Sequence, residues 1–314
     1  MPAVSKAKTR AKSRQLKINR ERLARFKIQG AIAPFYAGRG WEVGHDSVPR
    51  FVPGVGGISL NFKVGDSANQ YVSDHLEPGV STSMEEPGAG KNYSYRNNGY
   101  NGFSCIGNEA VVVSGTAKGA KGRVTGHHGG CQHVIIDFDD KTLEKLTYDD
   151  KIMITAHGVG MEIEGYEKDV RVYALDPDLF AKLGIRSTEA GLEVPVAAVV
   201  PAVVMGSGLG SSDSFMGDYD IQTSDPETCR EYGIDQLRLG DLVAIWDHDN
   251  SIGPSYKQGA VTIGVIIHGD SYLAGHGPGC QVILTSTTGR IVPKIDANAN
   301  IGKYLGIGRY RRRK

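Results

Sequence analysis

Residues 110–138, AVVVSGTAKGAKGRVTGHHGGCQHVIIDF, run from a β-branched stretch through glycine-rich chain into a second β-branched stretch. Val, Ile and Phe bounded by Gly, Asp and Ser favour strands over helices. The pattern recurs: Gly126-His127-His128-Gly129-Gly130-Cys131-Gln132-His133-Val134-Ile135 is echoed by Gly275-His276-Gly277-Pro278-Gly279-Cys280-Gln281-Val282-Ile283. Apolar strands begin at Ala110 and Ala260, at nearly the same distance before each histidine. A strand, a connecting stretch, a Gly-His loop and a second strand are therefore used twice. Such an echo is either architectural, or it brings His127 and His276 across a shared cleft.

Working outward, β-branched runs bounded by turn residues predict strands at Val111–Ser114, Val134–Phe138, Lys151–Ala156, Val170–Leu175, Val194–Val204, Leu242–Trp246, Ala260–His268 and Gln281–Thr285. Helical patterns are few: Asp176–Leu183 and Asp225–Tyr232, each with Pro at a first-turn position, and Ala297–Leu305. Regular βα alternation is missing. The expected class is mainly β or α+β, a Gly-rich barrel or packed-sheet architecture with an internal repeat. The 42 glycines supply the many turns this needs.

The expected organisation is a basic flexible arm (1–15), an N-terminal β-rich half (16–190), a C-terminal β-rich half packed on it (191–305) and a basic tail (306–314). Charge supports this. Residues 1–27 carry ten Lys/Arg against Glu21 and residues 303–314 six against no acid, leaving 20 basic and 34 acidic side chains between, a net of −14. The tails suit either an acidic neighbouring subunit in a homo-oligomer or, less well, nucleic acid, since no aromatic is interleaved before Phe26 to stack bases. Leu16, Ile18, Leu23, Phe26 and Ile28 form a short element entering the fold. The longest apolar stretch, Val194–Met205, holds two prolines and falls short of the roughly 20 residues of a membrane span. Four cysteines without a C-x-x-C pair read as thiols in a reducing, cytoplasmic setting.

Chemistry-bearing groups gather in a few segments. Asp74-His75-Leu76-Glu77 places an imidazole between carboxylates, with His75 and Glu77 on one face of an extended chain. In Gly217-Asp218-Tyr219-Asp220, the two aspartates share a face, a spacing suited to holding a metal or a shared proton. His128 and His268 add imidazoles near each copy of the echo. These residues nominate Glu77, Asp218 and His127 as catalytic and His75, Asp220, His128, His276 and His268 as ligands of a divalent metal, zinc or manganese. Each also has a plain reading as a satisfied turn or core residue, and His45, His133 and His157 receive no functional role. Cys105 could be a nucleophilic thiol, but nothing local lowers its pKa. Two Gly/Ser-rich loops, 114–122 and 205–214, lack the G-x-x-x-x-G-K-[ST] phosphate cradle.

The segments GVGGISLNFKVGD (54–66), SDHLEPGVS (73–81), SCIGNEAVVVSGTAKGAKGRVTGHHGG (104–130), VMGSGLGSSDSFMGDYDIQ (204–222), LRLGDLVAI (237–245) and GAVTIGVIIHGDSYLAGHGPG (259–279) resemble the prokaryotic family called domain of unknown function 4438. The resemblance runs from Ile28 to Leu305. It implies a β-rich, cytosolic, oligomeric protein, names no activity, and leaves both basic tails as additions serving assembly or localisation. It also implies that Cys131 and Cys280 are not fixed positions, which weighs against thiolate ligands. The expected function is a metal-dependent hydrolase of a small polar substrate, of the amide or cyclic amide class. The alternatives are a non-catalytic ligand-binding or assembly protein and, third, a cysteine-nucleophile amidase.

Overall fold

A computed structural model describes residues 16–35, 40–84 and 95–312. Six antiparallel strands close into a barrel: β1 (Arg25–Ile32), β2 (Gly79–Ser83), β3 (Glu109–Val112), β4 (Lys121–His128), β5 (His133–Asp137) and β6 (Lys151–His157). Their order around the barrel is β1-β6-β3-β4-β5-β2, and the pairs Ala31↔Ser83 and Ile32↔Thr82 join β2 back to β1. Closure satisfies strand edges that would otherwise template aggregation. Val80, Ala110, Val112, Val124, Val134, Ile136, Ile152 and Ile154 form its core with Tyr100 and Phe138.

The second half is an open sheet of β7 (Arg171–Val172), β8 (Ala198–Pro201), β9 (Tyr219–Asp220), β10 (Leu242–Asp249), β11 (Ser255–Ile266) and β12 (Gly279–Ser286). The strands run β7-β12-β11-β10-β8, and β9 pairs with β12 through Tyr219↔Cys280 and Asp220↔Gly279. A small sheet of Arg186–Ser187, Leu192–Val196 and Ile291–Ile295 flanks it. Ile106, Ile135 and Ile163 from the first half share one core with Val261, Ile263, Ile283 and Leu284 from the second. The fold is thus the expected β-rich class, with a closed barrel joined to further sheets and few short helices.

Helices form within all three expected segments, but the first ends at Phe180 rather than Leu183 and the third starts at Ile301 rather than Ala297. Asp176 and Asp225 each accept backbone N–H bonds ahead of a first-turn proline, and Asn300 caps Ile301–Leu305. Elsewhere the structure corrects the reading. Lys121–His128, expected as connecting chain and loop, is a full strand, so His127 and His128 stand on a barrel strand. Val194–Val204 is divided at Ala197 between two sheets and ends in a 3₁₀ turn, Ala202–Val204. Of Val170–Leu175 only Arg171–Val172 is strand, and Ala174 takes φ 40°. Leu16, Ile18 and Leu23 do pack on the core, ahead of β1.

The expected flexible arm, 1–15, lies outside the described residues. The C-terminal tail is not a free extension through its described part, because Arg309 forks onto Asp66 at 2.6 and 2.8 Å and Arg311 pairs with Asp137. These two arginines bind the chain's own acidic body. No helix is long and apolar enough to cross a membrane among the described residues.

The two halves meet beside the echo. Gly126 follows a bulge in β4, and a Cβ there would collide with the Ile267 side chain. Gly126→Ala is therefore expected to cost about 1–3 kcal/mol of overpacking, read as a lowered urea midpoint with unchanged slope.

Candidate metal centre

Four segments converge where the β4–β5 hairpin meets the edge of the second sheet. The loop before β2 supplies His75 and Glu77. The hairpin supplies His128 and His133, β9 supplies Asp220 and the residue before it Asp218, and the chain between β11 and β12 supplies His268 and His276. Alternation along β9 works as the sequence implied: Asp218 and Asp220 both reach histidines, while Tyr219 is bonded by Asn250 at 2.6 Å. His75 itself sits at φ 53°, a strained backbone for a residue with a Cβ. Such strain costs of order 1–3 kcal/mol and is concentrated at functional positions.

His75, Asp220 and His276 form a compact triangle of donor atoms. His75 Nε2 lies 2.9 Å from His276 Nδ1 and 3.3 Å from Asp220 Oδ2, and His276 Nδ1 lies 2.9 Å from the same oxygen. Ligands bound at about 2.1 Å stand about 3.0 Å apart at right angles and about 3.4 Å apart at tetrahedral angles. The triangle matches one face of such a coordination sphere, the two-histidine, one-carboxylate arrangement. On the far side of the His75 ring, Nδ1 donates to Asp74 Oδ2 at 3.0 Å, and Asp74 is held in turn by Ser271 Oγ at 2.6 Å. A carboxylate behind a histidine fixes the tautomer that turns the other nitrogen toward a metal. Burial opposes charge on His75, but Asp220 and Asp74 outweigh it and push its pKa up to about 9.

A second group, His128, Asp218 and His268, adjoins the first. The His128 and His268 rings lie 4.1 Å apart, and His268 is 5.1 Å from His75. His268 Nδ1 donates to Gly269 O at 2.7 Å, which leaves Nε2 facing Asp218 Oδ2 at 2.9 Å and Asp220 Oδ1 at 3.5 Å. Both His268 Nε2 and Asp218 Oδ2 are buried without a properly directed hydrogen bond, despite their closeness. Burial opposes charge on His268, but Asp218 and Asp220 outweigh it and push its pKa well up, so positive charge is favoured at this point. Gly279 keeps the space in front of them clear, since a Cβ there would run into both atoms.

Glu77 lies behind this group, fully buried. Its carboxylate accepts from Gly56 N at 2.6 Å, Ser81 Oγ at 2.5 Å, His128 Nδ1 at 2.8 Å and His133 Nδ1 at 3.0 Å. Burial raises its pKa, yet His133 and His128 more than offset this and hold the carboxyl well below its ordinary range. His128 and His133 are directly opposed across β4 and β5, so both project onto the same face. The positive groups acting on Glu77, Asp218 and Asp220 are histidines.

Of the eight residues nominated from sequence, seven lie in this cluster and His127 does not. The bulge between Val124 and Gly126 and strand alternation turn it away from His128. Its Nδ1 lies 2.9 Å from Phe215 O and from Gln281 Nε2, and its backbone N–H donates to Gln281 Oε1 at 2.8 Å. Burial lowers its pKa to about 4, so it is a neutral strut joining the two copies of the echo. Glu77, nominated as catalytic, supports His128 from behind. His133 and Asp74 were missed as parts of the site. The opposition of His128 and His133 across a four-residue turn could have revealed the first, and the Asp-His dipeptide the second.

All four cysteines are unpaired. Burial raises the Cys105 thiol pKa, and Asp176 raises it further, the reverse of an activated nucleophile. Iodoacetamide is expected to leave Cys105 unlabelled in the folded protein and to label it after denaturation, read by peptide mass spectrometry.

The fold and this cluster define a barrel-and-sheet protein with a buried histidine–carboxylate centre between its halves. The chain belongs to the family described as domain of unknown function (DUF4438), whose N-terminal model matches residues 41–181 and whose C-terminal model matches residues 182–305. It is similar to a solved structure titled "Crystal structure of TM1086", with 44% identity and a TM-score of 0.86 over 93% of this chain and 99% of that one. No curated protein matched.

Proposed function

We propose that this protein is a metal-dependent hydrolase of a small polar substrate, of the amide or cyclic amide class. The observation that carries this reading is the triangle of His75 Nε2, His276 Nδ1 and Asp220 Oδ2, whose edges are those of a coordination face. Three protein ligands leave positions open for water and substrate, as catalytic sites require. A divalent ion held there lowers the pKa of its water towards 7 and polarises a carbonyl. The chain's own residues do the rest. Asp74 and Gly269 O orient His75 and His268, and Glu77 orients His128.

A cavity of about 180 Å³ lies on the Asp74 side of His75, behind the triangle, lined in part by Asp74, Arg50, Tyr272 and Leu273. The unpaired thiols support a reducing, cytoplasmic setting. The test is hydrolysis of a panel of small amides and cyclic amides, followed by amine release. Activity removed by chelator and restored by zinc or manganese is the expected result. Activity indifferent to chelation overturns the reading.

A second reading, a non-catalytic assembly protein, is favoured by one surface feature. Trp41, Val43, Val48 and Phe51 are all exposed on one short hairpin, a concentration of apolar surface suited to contact with a second copy. Loss of an oligomer on Trp41→Ser, read by light scattering, is expected if that surface joins protomers. Unchanged mass removes it.

A further inference from the structure

We propose that the centre holds two divalent ions rather than one, bridged by Asp220. This rests on the metal-dependent reading above and adds a second site to it. His75, His276 and Asp220 Oδ2 make the first site, and His268, His128, Asp218 and Asp220 Oδ1 the second.

Three independent observations lead here. The two oxygens of Asp220 face different histidines: Oδ2 meets His75 and His276 at 3.3 and 2.9 Å, while Oδ1 turns to His268 at 3.5 Å. A carboxylate shared in this way is how paired ions about 3.5–4 Å apart are joined. The second group gathers its own donor atoms: His268 Nε2 and Asp218 Oδ2 are buried and face each other at 2.9 Å, with Asp220 Oδ1 3.5 Å from the same nitrogen. Finally, the second group has its own outer supports, separate from those of the first. Gly129 N donates to Asp218 Oδ1 at 2.7 Å and leaves Oδ2 toward His268. Glu77 holds His128 Nδ1, leaving Nε2 as that ring's remaining nitrogen, and Gly269 O holds His268 Nδ1. Support of this kind orients ligands and is costly to lose. Of the six donor residues, five have side chains no more than 12% exposed, and His276 is exposed over 30% of its side chain.

Metal stoichiometry tests the proposal directly. The full chain is stripped with chelator, reloaded with Zn²⁺ or Mn²⁺, freed of unbound metal and counted by plasma mass spectrometry. Two ions per chain are expected for the natural protein. One is expected for His276→Gln, whose loop position makes it the variant least able to disturb folding, and one for Asp218→Asn or His268→Gln. With Mn²⁺, a spin-coupled multiline spectrum is expected from the natural protein and an isolated-ion spectrum from the three variants. One ion in the natural protein overturns the second site and leaves the metal-dependent reading standing. No ion overturns both. Two ions that persist in Asp218→Asn and His268→Gln, or two uncoupled Mn²⁺ spectra, place the second ion elsewhere and overturn the bridge. Thermal unfolding of each variant separates loss of a site from loss of the fold.

Discussion

Asp220→Asn is expected to abolish tight divalent-metal binding while leaving the barrel folded. Both oxygens of Asp220 contact histidines of the centre, so this one carboxylate serves His75, His276 and His268 together. Substitutions that only orient a ligand weaken metal affinity by about 10–100-fold. Loss of the shared carboxylate is therefore expected to exceed about 100-fold. Asparagine keeps the shape and removes the charge, and β9 remains paired through its backbone to β12. Isothermal titration with Zn²⁺ checks this: saturable binding in the natural protein and no measurable heat in the variant. Equal affinity in both would show that the donor triangle binds no metal.

Glu77→Ala is expected to produce the largest loss of stability of any single substitution in the centre. Glu77 is wholly buried and accepts bonds from Gly56 N, Ser81 Oγ, His128 and His133. Each buried donor left without a partner costs about 1–3 kcal/mol, so the sum is expected to exceed about 3 kcal/mol by chemical denaturation. The pH dependence follows from the same contacts. The folded pKa lies well below the ordinary 4.5, so the contribution is fully present above pH 4.5 and is lost as pH falls through the folded value. Glu77→Gln keeps the volume but has no charge to lose. Its stability is expected to fall less steeply than that of the natural protein as pH drops below 4.5. Parallel acid profiles would contradict the account of Glu77.

Much of the fold was legible because its signals are local. Pro177 and Pro226 announce helices through chain stiffness at a first turn, and the runs at Lys151–Ala156 and Leu242–Trp246 are strands in the structure. What could not be read depended on tertiary context. Gly79–Ser83 is buried at every residue, so it shows no alternation, and its Ser and Thr look like a turn. Tyr95–Phe103 is helical despite two glycines and three asparagines, a composition that propensity alone rejects.

The site was legible as residue types and illegible as faces. The pair Asp218 and Asp220 was correctly placed because they flank Tyr219 at the start of β9, where alternate residues share a face. His127 was favoured over its neighbour because the echo aligns it with His276, but a single extra residue, Thr125, resets alternation along β4. His128 then faces the carboxylates and His127 faces Gln281. His133 read as a core residue, and it is buried, but against Glu77 rather than among apolar side chains. The two copies of the echo take different structures: one supplies a strand histidine, His128, to the centre and the other a loop histidine, His276.

The central claim is that His75, His276 and Asp220 bind a divalent ion. A crystal of zinc-loaded protein measured on both sides of the zinc absorption edge tests it most directly. The account predicts a strong anomalous peak within bonding distance, about 2.1 Å, of His75 Nε2, His276 Nδ1 and Asp220 Oδ2. No peak at that point, or zinc bound only at surface residues away from it, would contradict the account.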